Sequence, residues 1–173
     1  MNHEESKLQQ QCVAWFRAQY PHYAMLLVHP INEGSGHTQM DRRRQGIHKA
    51  EGAVAGVPDL LLFLPCPIEL KAKGEKDSNE STITFWRHGL GIEFKTAKGR
   101  QSQEQREFMS FFMTARYEYR IVRTFDEFQE TINRWIESVP SHIIQDIKHA
   151  YTELQDYKAA KEREKFYKVI GKK

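Results

Sequence analysis

Gly56-Val-Pro-Asp59 introduces the apolar run from Leu60 to Leu64, and Leu90-Gly-Ile-Glu-Phe-Lys95 forms a second apolar stretch further along the chain. Each stretch has the length of a short β-strand. Side chains alternate between the two faces of a strand, so Glu93 and Lys95 lie on one face and Phe94 on the other. If the two strands pair, Asp59 joins them, and two carboxylates and an ammonium converge at one place.

Such a set of side chains predicts a site for a hard divalent cation, because these ions prefer oxygen ligands. The lysine can orient a water or stabilise an anionic phosphate beside the ion, as a metal-dependent phosphodiesterase requires. The alternative is structural. Glu-x-Lys also occurs in strands as a solvated pair of little energetic value, and an Asp after Pro often only starts a turn or a strand.

A polar loop and a helix follow the second strand directly. Ser102 is a suitable N-cap, and Gln105 three residues later completes a capping box. The apolar positions after them predict an amphipathic helix. They are Phe108, Met109, Phe111 and Phe112.

The order Gly-Val-Pro-Asp, Ile-Glu-Phe-Lys and Gly-Arg-x-Ser-x-x-Gln resembles the VRR-NUC family of the PD-(D/E)XK, or restriction-endonuclease-like, nucleases. The likeness extends upstream to Glu5-x-x-Leu8-Gln9 and Ile31-Asn-Glu-Gly34, and covers residues 4–138. The resemblance implies that Asp59 and Glu93 are metal ligands and that Lys95 is the catalytic lysine. It also implies that Gln105 is a site residue and that Glu5 is a further acidic residue pointing at the site.

A second Glu-x-Lys pair leaves an alternative open. Glu69 and Lys71 have the same spacing and similar apolar neighbours, and Asp59 is further from Glu93 than is usual in the family. We favour Glu93 and Lys95 because a hydrophilic loop without a helix start follows Lys71. Residues 66–89 are then an insertion, with a hairpin that has residues 82–86 as one arm and that could also touch the substrate.

The remaining patterns predict a restriction-endonuclease-like α/β sandwich, with a central mixed sheet flanked by helices and a charged C-terminal helical extension. Residues 1–139 form the predicted nuclease domain, and residues 140–173 form the extension. The predicted elements are a helix over 4–19, a strand over 24–29, a weakly patterned helix over 38–51, a third central strand over 117–123, and a helix capped by Thr124 with Phe128, Ile132 and Trp135 facing the core.

The helical extension begins after Pro140 and is rich in charge. An apolar stripe along it favours packing against the same domain, and a homodimer interface is the sharper interpretation. The stripe consists of Ile144, Ile147, Tyr151 and Leu154.

Composition excludes several classes of protein. The longest apolar run is only strand-sized, so no membrane role follows. The acidic N-terminus is unlike a signal peptide, and two cysteines form neither a disulfide framework nor a zinc site. We therefore expect a cytoplasmic protein, and its small size is similar to that of family members encoded by viruses and mobile elements, which act as homodimers.

Basic side chains around the site predict an anionic partner, although the net charge is only +3. They would neutralise phosphates without reading sequence. Arg42 to Arg44 could equally form a solvated helix face. The full set is Arg42, Arg43, Arg44, Lys98 and Arg100; His37, in a glycine-rich loop, is a candidate general acid.

The sequence thus predicts a Mg²⁺-dependent DNA endonuclease, with Mn²⁺ able to substitute. Asp59, Glu93 and the backbone carbonyl of Phe94 would hold the ion. The resemblance implies branched or otherwise structured DNA as a target. The alternative function is a non-catalytic DNA-binding or assembly module on the same scaffold, which would bind DNA without metal and cut nothing.

Overall fold

The computed structural model describes residues 3–30, 46–72 and 81–170. Residues 46–50 are helical, at the end of the segment 38–51 for which a helix is predicted. Residues 38–45 of that segment, with Arg42 to Arg44, and His37 before it lie outside the described residues. In chain order the other elements are α1 (His3–Gln19), a 3₁₀ helix (Pro21–Leu26), β1 (Leu27–Val28), β2 (Leu60–Leu62), β3 (Cys66–Ala72), β4 (Ser81–Arg87), β5 (Leu90–Phe94), α2 (Gln103–Thr114), β6 (Glu118–Val122), α3 (Phe125–Glu137) and α4 (Ser141–Ile170).

Four strands form a mixed sheet in the order β1, β2, β5, β6. β2 runs antiparallel to β1 and β5, whereas β6 runs parallel to β5. The predicted mixed α/β architecture is therefore confirmed. The prediction of a third central strand is wrong in one respect, because among the described strands β6 lies at an edge of the sheet. α2 packs on β6.

The two faces of β5 have different coverings. Phe94 packs on the side of α1 and α3, where its ring stacks on Phe128 at 6.0 Å between centroids. Gly91 lies on the opposite side, under α2, and a Cβ there would come within 2.8 Å of the Phe112 ring. Glu93 shares that side with Gly91 because side chains two residues apart in a strand point the same way. The sheet therefore turns the acidic residue of β5 toward α2.

The first half of the strand predicted over residues 24–29 is a 3₁₀ helix. Pro21 occupies its first turn, where the fixed φ of proline suits a helix and its missing N–H is not needed. The Tyr23 N–H bonds to the Tyr20 carbonyl at 3.0 Å and continues this turn. Only Leu27 and Val28 pair with β2. The helical turn that begins at Pro21 thus forms in place of the first part of the strand that the apolar run predicts.

β3 and β4 form the predicted hairpin, paired from Cys66 with Arg87 to Ala72 with Ser81. The hairpin leaves the sheet at the end where Leu62 pairs with Leu90. Asp59 and Phe94 lie at the opposite end, so the hairpin extends away from them. The Glu69 and Lys71 backbone is in β3, which pairs with β4 and not with β2.

α4 packs against the domain through its first half. Ile143, Ile144 and Ile147 contact the core, and the His22 and Tyr151 rings lie 4.8 Å apart. Residues 155–165 are exposed. The division into a domain and an extension at Pro140, and a homodimer, remain predictions. None of the helices in the described segments is long and apolar enough to span a membrane.

The two cysteines are both buried and unpaired with each other. Burial raises the pKa of Cys12 to about 12 and also raises the pKa of Cys66. Since the thiolate is the reactive form, both side chains act as small apolar groups in the core.

Candidate active site

Asp59 stands at the start of β2 and is held by the neighbouring strand. The backbone N–H of Phe94 donates to Asp59 Oδ2 at 2.7 Å. The preceding loop lies close to α2: Gly56 has φ of +83°, and a Cβ there would come within 2.2 Å of the Glu104 carbonyl oxygen. Glycine is needed at this position because any side chain would collide with backbone. The loop that carries Asp59 is therefore fitted against the first turn of α2.

Glu93 is the most enclosed acidic group of the site, with 1% of its surface exposed. Lys95 Nζ lies 2.5 Å from Glu93 Oε1, as the strand alternation predicts. Gln105 Nε2 donates to the same oxygen. The Tyr119 hydroxyl donates to the other oxygen, Oε2, at 3.3 Å. Both oxygens of this carboxylate are thus held by donors of the chain itself.

The side-chain amide of Gln105 makes one hydrogen bond through its oxygen and another through its nitrogen. Its side-chain Oε1 accepts from the Ser102 backbone N–H at 2.9 Å, and the Gln105 backbone N–H donates to Ser102 Oγ at 3.2 Å. This is the predicted capping box, and it fixes the start of α2. The amide nitrogen is left to reach Glu93. The residue that starts the helix thereby also orients the carboxylate.

Glu5 brings α1 to the same site. Its Oε1 accepts from the Thr96 N–H at 3.0 Å, directly after β5. The Arg123 guanidinium fixes the loop after β5 by donating hydrogen bonds to the carbonyls of Thr96 and Gly99. The Glu5 charge also acts on Asp59, where it raises the pKa. The acidic group on the first helix therefore lies at the site, as the resemblance implies.

Three residues at the site were not predicted from the sequence. Gln9 is buried, and its Nε2 lies 3.1 Å from His29 Nδ1. His29 Nδ1 lies 2.7 Å from the Asp59 carbonyl oxygen, so the pair supports the backbone of that residue. Tyr119 is the third. Gln9 stands in the upstream motif, but the position of His29 and Tyr119 depends on strand pairing that local pattern does not encode.

Both carboxylates resist ionisation in this environment. Burial raises the pKa of Glu93, the nearby Asp59 carboxylate raises it further, and Lys95 acts in the opposite direction. Burial also raises the pKa of Asp59, against the lowering effect of the Phe94 N–H and of Lys95. A positive charge near these two desolvated, mutually repelling carboxylates would therefore stabilise their ionised forms.

The side chains open into one solvent-accessible cleft of about 610 Å³. Arg100 lies on its wall, and Lys98 lies on the exposed loop nearby. A second cavity of about 470 Å³ between β3, β6 and α3 is lined by two ion pairs, Arg120 with Glu118 and Arg134 with Glu130, and by Glu127, which accepts from the Arg123 N–H. The cleft is lined by Glu5, His29, Pro30, Ala55, Gly56, Val57, Pro58, Asp59, Glu93, Lys95, Arg100, Ser102, Glu104 and Gln105.

The donor set of the cleft fits a hard divalent cation. Among the described residues, no three His, Cys, Asp or Glu side chains stand together as a metal-binding group. Mg²⁺, however, is usually held by one or two carboxylates, with waters and substrate phosphates as the other ligands. Asp59 and Glu93 supply such a pair, and their mutual repulsion is what a cation relieves.

A scan with protein-family models and a search of curated proteins give no match to this sequence. Among solved structures, a VRR_NUC domain protein matches with a TM-score of 0.56 and 18% sequence identity, over 80% of this chain and 93% of that one. The chain therefore has the fold of a VRR-NUC domain, which is a restriction-endonuclease-like α/β fold. A likeness at this level of identity concerns the fold alone.

Proposed function

We propose that this chain is a metal-dependent DNA nuclease that hydrolyses phosphodiester bonds in the cleft between Asp59 and Glu93. One observation carries the proposal: Asp59, Glu93 and Lys95 converge in one open cleft, and both carboxylates are desolvated there. A buried Glu93 and Lys95 beside a half-buried Asp59 are costly for a fold unless the site uses them. The nuclease-like fold is consistent with this chemistry.

Asp59 and Glu93 would hold Mg²⁺, with Mn²⁺ as a substitute and the Phe94 carbonyl and Glu5 as further ligand candidates. The bound ion would lower the pKa of a water and neutralise charge on the phosphate. Hydrolysis then adds the water oxygen to phosphorus, breaks one phosphorus–oxygen ester bond and leaves the proton on the departing alkoxide.

Lys95 would stabilise the negative charge that builds up on the phosphate during attack. Its ammonium is buried and held 2.5 Å from Glu93 Oε1, so its position is fixed before substrate arrives. A fixed charge in a desolvated site stabilises a transition state more strongly than a solvated one does. Gln105 would keep Glu93 in place through its amide nitrogen.

DNA is the proposed substrate, bound through its phosphates. Arg100 on the cleft wall and Lys98 on the adjacent loop would make contacts that carry no sequence information. Arg42 to Arg44 and the general acid His37 remain predictions from the sequence. Branched or structured DNA remains the target that the family resemblance implies.

The test is a cleavage assay of the purified chain on supercoiled, linear, flap and junction DNA, with Mg²⁺, Mn²⁺ or a chelator. We expect cutting only with metal. Asp59→Asn and Glu93→Gln should abolish it, and Lys95→Met should slow it by about 100-fold or more while metal still binds. Glu130→Gln removes an exposed acid that pairs with Arg134 on α3, and should cut like the parent chain.

Undiminished cutting by Asp59→Asn would refute the assignment. Salt-sensitive DNA binding without metal, and without cleavage of any of these substrates, would favour the non-catalytic DNA-binding module instead.

A further inference from the structure

Tyr119 is a buried titratable residue to which the mechanism above gives no role. It lies on the edge strand β6, yet only 6% of its surface is exposed, because α2 covers it. The Phe112 ring of α2 meets the Tyr119 ring edge-on at 6.4 Å between centroids. A phenylalanine would fill the same space, so packing alone does not account for the hydroxyl.

The hydroxyl has two polar neighbours. It donates to Glu93 Oε2 at 3.3 Å. The Gln101 side chain is the second, and it opposes the rise in the pKa of Tyr119 that burial causes. Lys95 and Gln105 both act on the other oxygen, Oε1. Tyr119 is therefore the group among the described residues that holds Oε2 and, with it, the plane of the carboxylate.

We propose that Tyr119 is a positioning residue that fixes the Glu93 carboxylate in the orientation in which it binds the metal ion. The inference rests on the proposed function, because it needs Glu93 to be a ligand. A glutamate side chain has three rotatable bonds, and one donor on each oxygen restricts the last of them. Outer hydrogen-bond partners of metal ligands typically contribute 10- to 100-fold to affinity.

The hydroxyl does not need to leave for metal to bind. Each carboxylate oxygen has two lone pairs, so Oε2 can accept from Tyr119 and still serve a cation. If the hydroxyl instead competed with the ion, its removal would tighten binding. The sign of the change in affinity therefore separates support from competition.

The experiment measures Mn²⁺ binding to the full chain by isothermal titration calorimetry, without DNA. Tyr119→Phe should raise the Kd for Mn²⁺ by about 10-fold or more. Tyr117→Phe is the matched control, because Tyr117 also packs on Phe112, at 4.4 Å between ring centroids, and makes no hydrogen bond to Glu93 in the described structure. Its Kd should equal that of the parent chain.

Two further variants keep the outcome decisive. Gln101→Leu removes the second polar neighbour of the hydroxyl, and should weaken Mn²⁺ binding by a smaller factor even if Tyr119→Phe folds poorly. Glu93→Gln should lose binding. In cleavage assays, the Mn²⁺ concentration for half-maximal rate should rise with the Kd in Tyr119→Phe, while the KM for DNA at saturating metal stays within about 2-fold.

An unchanged or lower Kd in folded Tyr119→Phe would overturn the inference. If that variant does not fold, an unchanged Kd in Gln101→Leu would overturn it. If Glu93→Gln loses Mn²⁺ and Tyr119→Phe keeps it, only the role of Tyr119 fails. If Glu93→Gln binds Mn²⁺ like the parent chain, the metal site fails and takes the inference with it.

Discussion

Asp59 and Glu93 are placed where the folded chain, without metal, opposes their ionisation. Because their pKa values are raised, these groups bind more protons in the folded state than in the unfolded state when the pH is above the ordinary carboxylate pKa. Stability from these two groups is then present at low pH and lost as the pH rises through their folded pKa values. The proposed metal ion would offset this cost, because a positive charge favours the ionised form of both carboxylates.

Asp59→Asn should stabilise the metal-free protein at neutral pH. The amide oxygen can still accept from the Phe94 N–H, while the repulsion of Glu93 disappears. We expect Tm to rise by a few degrees at pH 7 and the gain to shrink as the pH falls toward the ordinary carboxylate range.

Thermal unfolding of both chains across pH, with and without Mg²⁺, checks this expectation. The parent chain should gain Tm with Mg²⁺ through binding to the folded state, and Asp59→Asn should not. A lower Tm for metal-free Asp59→Asn at pH 7 would contradict it.

Contacts between site residues could be predicted from the sequence where the two residues lie within a few positions of each other. Alternation along one strand places Glu93 beside Lys95, and the helix-start spacing links Ser102 to Gln105; both contacts are confirmed. Tyr119 and His29 reach the site through pairing with distant strands. A single sequence does not encode which tyrosine of a period-two strand will face a carboxylate on the next strand.

At the scale of elements, the hairpin of β3 and β4 is separate from the chemistry of the cleft. It joins the sheet beyond Leu62 and Leu90, whereas Asp59 and Glu93 lie toward the other end of the same two strands. This position favours Glu93 and Lys95 over the second Glu-x-Lys pair as the proposed site residues. Glu93, and not Glu69, is on the strand that pairs with β2.

A shortened hairpin should therefore keep the activity of the site. Ile68 pairs directly with Phe85, so an Asn-Gly turn can join them in place of residues 69–84. We expect the Kd for Mn²⁺ and the rate of DNA cutting to stay within about 2-fold of the parent values, since metal ligands and their donors are unchanged. Calorimetry and the cleavage assay measure both. A selective rise in the KM for DNA would show that the hairpin touches the substrate.

Elements were predicted well where caps or alternation mark them and poorly where two local preferences compete. The start of α3 is confirmed, with Thr124 Oγ1 accepting from the Glu127 N–H at 3.1 Å. Glu127 reaches back to the Arg123 N–H instead of closing a capping box. The apolar α2 face is only partly used, since Phe111 is 77% exposed. Which apolar residues find a partner depends on packing that the periodicity leaves open.

At the scale of the whole molecule, α4 has two halves with different roles. Its first half covers the core through Ile143, Ile144 and Ile147, whereas residues 155–165 are exposed. Nothing in the spacing of the apolar stripe indicates where packing would end. The fold class was predictable because the order of motifs fixes which strands follow which helices, and the match to a VRR_NUC domain structure confirms it.

Two truncations should separate these halves. A chain that ends at residue 155 should unfold at the same denaturant concentration as the parent, because the side chains of residues 156–165 are exposed. A chain that ends at Pro140 should lose on the order of 3 kcal/mol, about 1 kcal/mol for each partly buried isoleucine. Urea denaturation followed by tryptophan fluorescence gives both values. Equal stability of the two truncations would contradict the packing of α4.

The burial of both thiols has a practical use. Cys12 and Cys66 are the whole cysteine content of the chain, and neither side chain faces solvent. A cysteine introduced at the exposed Thr84, on the hairpin, would thus be the one readily labelled position. A fluorophore attached there could report association with nucleic acid by energy transfer to an end-labelled duplex, while the reacting groups stay untouched.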